Sequence, residues 1–164
     1  MNQQSVITAH AGAPAPEPGP MLFRPDTFFL KPWRGWGVMR GANGRPLSRY
    51  EAAGQGRNQS RSAAIEQRFT FDNGVVQAFE WEILADDEGR FFARDRSGLE
   101  ARGRQLGDDF CWAYTTKAPT PLGVRKVKVQ ALYTMVTPDT AFSFTEVKLW
   151  GLTLSSFTTY YTRL

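Results

Sequence analysis

The run IEQRFTFDNGVVQAFEWEIL, Ile65 to Leu84, limits the fold more than any other stretch of the chain. Val75, Gln77, Phe79, Trp81 and Ile83 fall on one side of an extended backbone, and Val76, Ala78, Glu80 and Glu82 on the other. That period of two suits a half-buried strand. Ile65, Gln67, Phe69 and Phe71 repeat the pattern before the turn residues Asp72, Asn73 and Gly74. A two-residue Asn-Gly turn would set Phe69 and Phe71 on the face of Glu80 and Glu82. Counting Asp72 as a third loop residue pairs Phe71 with Val75 and brings the aromatic faces together, with Gly74 supplying the positive φ. The chain is therefore expected to be built from antiparallel hairpins.

The rest of the sequence extends that reading. From Gly35 onward short extended runs alternate with turn signals, and no stretch sustains a helical period. Gly35 to Gly41 and Leu47 to Gly56 flank Asn43-Gly44, and Phe91 to Asp95 and Glu100 to Leu106 flank Ser97-Gly98. Phe110 to Thr116, a Pro-rich loop from Ala118 to Gly123, and then Val124 to Val136, Ala141 to Trp150 and Leu152 to Arg163 follow. About ten strands at this spacing predict an all-β sandwich or barrel, and neighbour-to-neighbour order favours an antiparallel up-and-down barrel. Phe110, Trp112 and Tyr114 form one inward set, Val127 to Met135 another, with Phe142 and Phe144 nearby. Arg94, Arg96, Arg102, Arg104, Lys126 and Lys128 form the exterior. The small residues between Gly98 and Gly107 are expected to leave internal room.

At 164 residues the chain is one domain, with 12 Phe, 5 Trp and 5 Tyr to fill a core. Residues 1–22 read as a flexible arm rich in proline, and 23–164 as the barrel domain. Phe23 to Trp33, aromatic but interrupted by Pro25 and Pro32, is expected to fold across an opening as a lid or plug. The arm has no apolar run of signal-peptide length, so a cytoplasmic location is the expectation. The net charge of +4 fits a solvated basic exterior that permits peripheral membrane contact. Cys111, the single cysteine, reads as a buried inert thiol. Rings that alternate away from arginines such as Arg40, Arg49 and Arg68 do not make a nucleic-acid platform. Hydrolase triads, phosphate-cradling glycine loops and zinc motifs are absent.

The order of several short motifs resembles a family. Gly35-Trp36-Gly37, then Phe71-Asp72-Asn73-Gly74 with Trp81, then the run DRSGLEARG, Trp112-Ala113-Tyr114 and Lys148-Leu149-Trp150-Gly151 are similar to bacterial domain-of-unknown-function family three-eight-three-three. The resemblance runs from about Phe28 to the C-terminus and implies a lipocalin-like barrel. It implies no activity. In lipocalin-like barrels a C-terminal arginine often stacks on a first-strand tryptophan, which here would pair Arg163 with Trp36. Haem-binding barrels of related shape use a histidine ligand; His10, the only histidine, lies in the arm, so neither haem nor another cofactor is expected.

These readings converge on a non-enzymatic module enclosing a small apolar or amphipathic ligand, a lipid or an isoprenoid, with Phe79, Trp81, Phe91, Trp112, Tyr114 and Tyr133 as ligand contacts. Glu80 and Glu82 are assigned to exterior ion pairs, and Asp86 to Glu88 to a solvated turn without a metal. A barrel cyclase or isomerase, steered by Tyr114, Tyr133 or Asp95, and a solid barrel that binds other proteins are the alternatives. The sequence leaves the oligomeric state open.

Overall fold

The structure, a computed structural model, describes Gly19 and residues Met21–Leu164; His10 lies outside the described residues. One helical turn, α1 (Pro25–Phe28), precedes ten strands. These are β1 (Trp33–Gly41), β2 (Pro46–Gln59), β3 (Ser62–Phe71), β4 (Val76–Ala85), β5 (Arg90–Asp95), β6 (Glu100–Leu106), β7 (Asp109–Thr120), β8 (Gly123–Thr137), β9 (Thr140–Leu149) and β10 (Leu152–Arg163). Each pairs antiparallel with its sequence neighbours, and β10 returns to β1, so the sheet closes into a lipocalin-like up-and-down barrel.

The β3–β4 hairpin adopts the three-residue register. Phe71 N–H donates to the Val75 carbonyl at 2.9 Å, Thr70 lies opposite Val76, and Gly74 takes φ 84°. Ile65, Trp81 and Ile83 are buried inside as a result. Glu80 turns outward, held by Arg96 at 2.6 Å and Arg57 at 3.6 Å, while Glu82 accepts a hydrogen bond from Ser62.

Three local expectations change. Most of the Pro-rich segment after Ala118 is strand, because β7 continues to Thr120 and reverses at Pro121-Leu122. Pro119 is tolerated there because β7 has only one neighbour at that height, so its missing N–H costs no second ladder bond. Phe142 and Phe144 face outward, since the inward set of β9 is the slimmer Ala141, Ser143, Thr145 and Val147. Cys111 is half-buried rather than buried, on the face opposite Phe110 and Trp112.

Small inward residues admit rings rather than leaving space. A Cβ on Gly103 would collide with the rings of Phe110 and Trp112, and one on Gly54 would meet Trp33. Aromatic side chains thus lie across the missing side chains of opposing strands.

One end of the barrel is plugged as expected from Phe23 to Trp33. Phe23, Phe28 and Phe29 are buried; Phe23 stacks on Tyr133 at 4.7 Å and Phe29 meets Trp33 at 5.1 Å and Tyr161 at 5.6 Å. Each such ring contributes about 1.5–3 kcal/mol by burial. Two polar ties fix the plug: Gly56 N–H donates to the Leu30 carbonyl at 3.2 Å, and Arg163 Nε donates to the Phe28 carbonyl at 3.1 Å.

The closure pair differs from the expected one. Arg163 lies over the Phe28 ring at 4.6 Å, not over Trp36. Trp36 is 49% exposed on the outer face beside Tyr160. The buried tryptophan of the first strand is Trp33, directly across from Arg163, because strand alternation puts residues 33, 35 and 37 inside and 36 outside.

Candidate functional site

Above the plug the barrel is hollow. The cavity measures about 410 Å³, within the range of roughly 300–1,000 Å³ usual for small-molecule sites. One wall is aromatic, built by alternate residues of β3, β4 and β7: Phe69, Phe79, Trp81, Trp112 and Tyr114. Phe79 and Trp81 stack at 6.4 Å, and Tyr114 packs against Trp81 at 5.8 Å. The facing wall is slimmer, with Val127, Val129 and Ala131 of β8 and Thr145 and Val147 of β9. The volume comes from pairing a heavy wall with a light one.

Of the six expected contacts, five border this space: Phe79, Trp81, Trp112, Tyr114 and Tyr133. Phe91 does not. It is buried against Phe110 at 5.1 Å with Arg24 over its ring at 5.3 Å, so it belongs to the packing beneath the plug. Its strand, β5, starts at the closed end, which the alternating pattern alone does not reveal.

Polar groups lie deep and at the mouth. Tyr50 and Thr159 share a 2.6 Å hydrogen bond, and Ser143 donates to the Tyr161 hydroxyl at 3.4 Å. Burial pushes the Tyr114 phenol up to about 12 and raises Tyr50, Tyr133 and Tyr161 as well. All four therefore remain neutral hydroxyls across the physiological range. Lys117, exposed and directly across from Lys126 on the outer face of β7, is the single charged residue among those around the cavity, at the edge of its mouth. Asp95 is committed to the β5–β6 turn, accepting from the Ser97 and Leu99 N–H groups and from the Ser97 hydroxyl. It lies at the low edge of the notch, paired across β4–β5 with Trp81 and near enough to Tyr114 to help raise that phenol, but it is not among the residues that line the cavity.

The way in follows from strand lengths. β5 and β6 have six and seven residues, whereas β7 and β8 have twelve and fifteen. Pairing of β4 with β5 stops at Trp81–Asp95, leaving residues 76–80 of β4 with β3 alone. Pairing of β6 with β7 stops at Ala101–Tyr114, leaving residues 115–120 with β8 alone. The wall therefore has a notch above the β5–β6 turn, roughly 16 Å deep along five strand residues. Gln77, Leu99, Thr116 and Lys117 stand where this notch meets the cavity. Sequence reading missed Leu99, Thr116 and Lys117. The unequal distance between successive turn signals was the available clue, obscured by treating the prolines as loop.

Among the described residues no group of three or more His, Cys, Asp or Glu is placed to hold a metal ion, and no helix is long and apolar enough to cross a membrane. Fold comparison finds the S-type phycobiliprotein lyase of Guillardia theta, with a TM-score of 0.60 and 9% identity over 85% of this chain and 90% of that one. It also finds a protein of unknown function from the DUF3598 family of Nostoc punctiforme, TM-score 0.60 and 13% identity, over 87% of this chain and 50% of that one. At such identities the likeness is one of fold. A search of curated proteins finds no match. The family model for DUF3833, a protein family of unknown function, matches residues 17–163, plug and barrel together, and the chain belongs to that family.

Proposed function

We propose that this protein is a binder of one small amphipathic molecule, its apolar part within the barrel and an acidic head at the notch. The observation that carries the reading is the distribution of charge around the cavity: uncharged and largely aromatic inside, with Lys117 alone at the mouth. An aliphatic or isoprenoid chain bordered by Phe79, Trp81, Trp112 and Val129 would lose its hydration at about 25 cal/mol per Å² of apolar area. The neutral hydroxyls of Tyr114, Tyr133 and Thr159 offer hydrogen bonds without a charge to desolvate. A carboxylate or phosphate beside Lys117 keeps partial contact with water, which avoids the cost of burying it.

The void supports this reading over a solid interaction barrel. The enzyme reading is weakened by the placement of Asp95 and by phenols held in their neutral form, which leaves no cavity-lining carboxylate, imidazole or thiol to act as acid or base.

The test is a titration with a long-chain fatty acid, followed by tryptophan fluorescence from Trp81 and Trp112. One saturable site is expected. Val147→Trp, which fills the cavity from a half-buried wall position, removes it, and Lys117→Glu weakens it about ten-fold, equivalent to ~1.4 kcal/mol. Binding that persists undiminished in Val147→Trp contradicts the assignment.

A further inference from the structure

The open rim carries charge and apolar surface that the fold itself does not need. Four hairpin tips follow one another around it, β3–β4, β1–β2, β9–β10 and β7–β8, and the low β5–β6 tip leaves the notch between the first and last. On the last two tips the local rules are broken in three ways. Lys117 lies directly opposite Lys126, and Lys128 directly opposite Lys148. Like charges in cross-strand register destabilise a sheet, yet four of the five lysines in the chain occupy these positions. Only Lys148 among them has an ion-pair partner within the described residues, Glu146 at 2.8 Å.

The β9–β10 turn is the second anomaly. Leu149 pairs with Leu152, so the loop is Trp150-Gly151, with both residues at positive φ, 52° and 84°. Such a turn calls for Asn, Asp or Gly at its first position. Trp150 instead occupies the left-handed region, with its ring 76% exposed and so without folded-state packing to offset the strain. Third, Leu122, Val124 and Leu152 are each more than half exposed on the same two tips.

The opposite end lacks this excess. Its turns carry Asp86, Asp87, Glu88, Asp108 and Asp139 but also Arg61, and Arg90 pairs with Asp86 and Glu88 while Arg163 lies 3.8 Å from Asp139. The molecule is therefore polarised along the barrel axis, basic and apolar at the mouth and closer to charge balance at the plug.

We infer that the β7–β8 and β9–β10 tips dock the barrel, mouth first, on an anionic phospholipid bilayer. Trp150, Leu122 and Val124 enter the interface, where an indole is favoured, and Lys117, Lys126 and Lys128 reach the headgroup phosphates. The plug end, which carries no comparable run of unpaired lysines, points away, which fixes one orientation. Neither a neutral membrane nor an apolar protein groove accounts for the unpaired lysines facing each other across β7 and β8. The notch then opens beside the bilayer, although the docking stands on the surface alone and holds whether or not the cavity takes a ligand.

Sedimentation of the full chain with vesicles of pure phosphatidylcholine, and with equimolar phosphatidylcholine and phosphatidylglycerol, tests it. Binding is expected to the mixed vesicles, weak to the neutral ones, and to fall with added salt. Lysines near such a surface are worth about five-fold each, so Lys126→Glu with Lys128→Glu lowers partitioning by about thirty-fold or more. Trp150→Asn also lowers it while raising the thermal midpoint, a divergence that a purely structural role would not give. Asp87→Asn at the far end leaves it unchanged. Equal binding to both vesicle types, no binding to either, or variants of confirmed fold that bind like the parent would overturn the inference. The cavity-filled Val147→Trp chain should still bind vesicles; if it does not, docking depends on the cavity and the inference fails, whereas loss of fatty-acid binding alone leaves it standing.

Discussion

At the closed end Phe23, Phe28 and Phe29 fill the space between strands and Arg163 ties them to the last strand, while at the open end the same strands surround a void of about 410 Å³. The difference lies in what faces what. Toward the plug, rings oppose glycine and alanine, as Phe110 does Gly103 and Trp33 does Gly54, and interlock. Toward the mouth, rings on β3 and β4 face Val127, Val129 and Thr145 across the barrel, whose short side chains leave space between the walls. Stability is concentrated at one end and accessible volume at the other, an arrangement expected where a packed scaffold holds a site that must stay open.

Substitutions at the two ends should therefore differ most in stability. Phe28→Ala removes a ring buried among other rings and is expected to cost about 3–5 kcal/mol in urea denaturation. Phe79→Ala, on a side chain that already borders empty space, should cost less than half as much; equal losses would break the contrast. Arg163→Met keeps much of the apolar stem but loses the contact with Phe28 and the bond to its carbonyl. A loss of about 2 kcal/mol is expected, with the plug more readily cleaved by protease than the barrel.

Alkaline pH sharpens the picture of the interior. Tyr114 is raised by burial from 10 to about 12, and Tyr133 and Tyr161 are raised for the same reason. Their contribution is fully present below pH 10, where both folded and unfolded phenols are neutral, and is lost as pH rises through the folded values. For Tyr114 alone the loss is about 1.4 kcal/mol at pH 11, to be read as a shift in denaturation midpoint between pH 9 and pH 11. The smallest effect is at the rim. Trp150→Asn relieves the left-handed strain and should stabilise the fold by ~1 kcal/mol.

Much of the scaffold was legible because the sheet writes its period into the sequence. The β3–β4 register followed from keeping Phe69 and Phe71 on the face of Trp81, and the plug from aromatics interrupted by prolines. What escaped was whatever depends on relations across the barrel. Trp36 and Trp33 are equally aromatic, and only the register with Arg163 shows that Trp33 is the one inside. Phe91 alternates correctly, yet its height decides that it packs under the plug instead of bordering the cavity. The small residues around Gly103 suggested room, whereas the rings that claim that room come from β7. The notch depends on two strands being shorter than their neighbours, and the prolines after Ala118 concealed how far β7 extends.

The most direct test of the central claim, a barrel packed at one end and open to an amphipathic ligand at the other, is native mass spectrometry of the purified protein titrated with a long-chain fatty acid. One non-covalent adduct per chain is expected, absent from Val147→Trp and retained in Phe91→Leu. A bare chain mass throughout the titration, or an adduct that survives Val147→Trp, would contradict it.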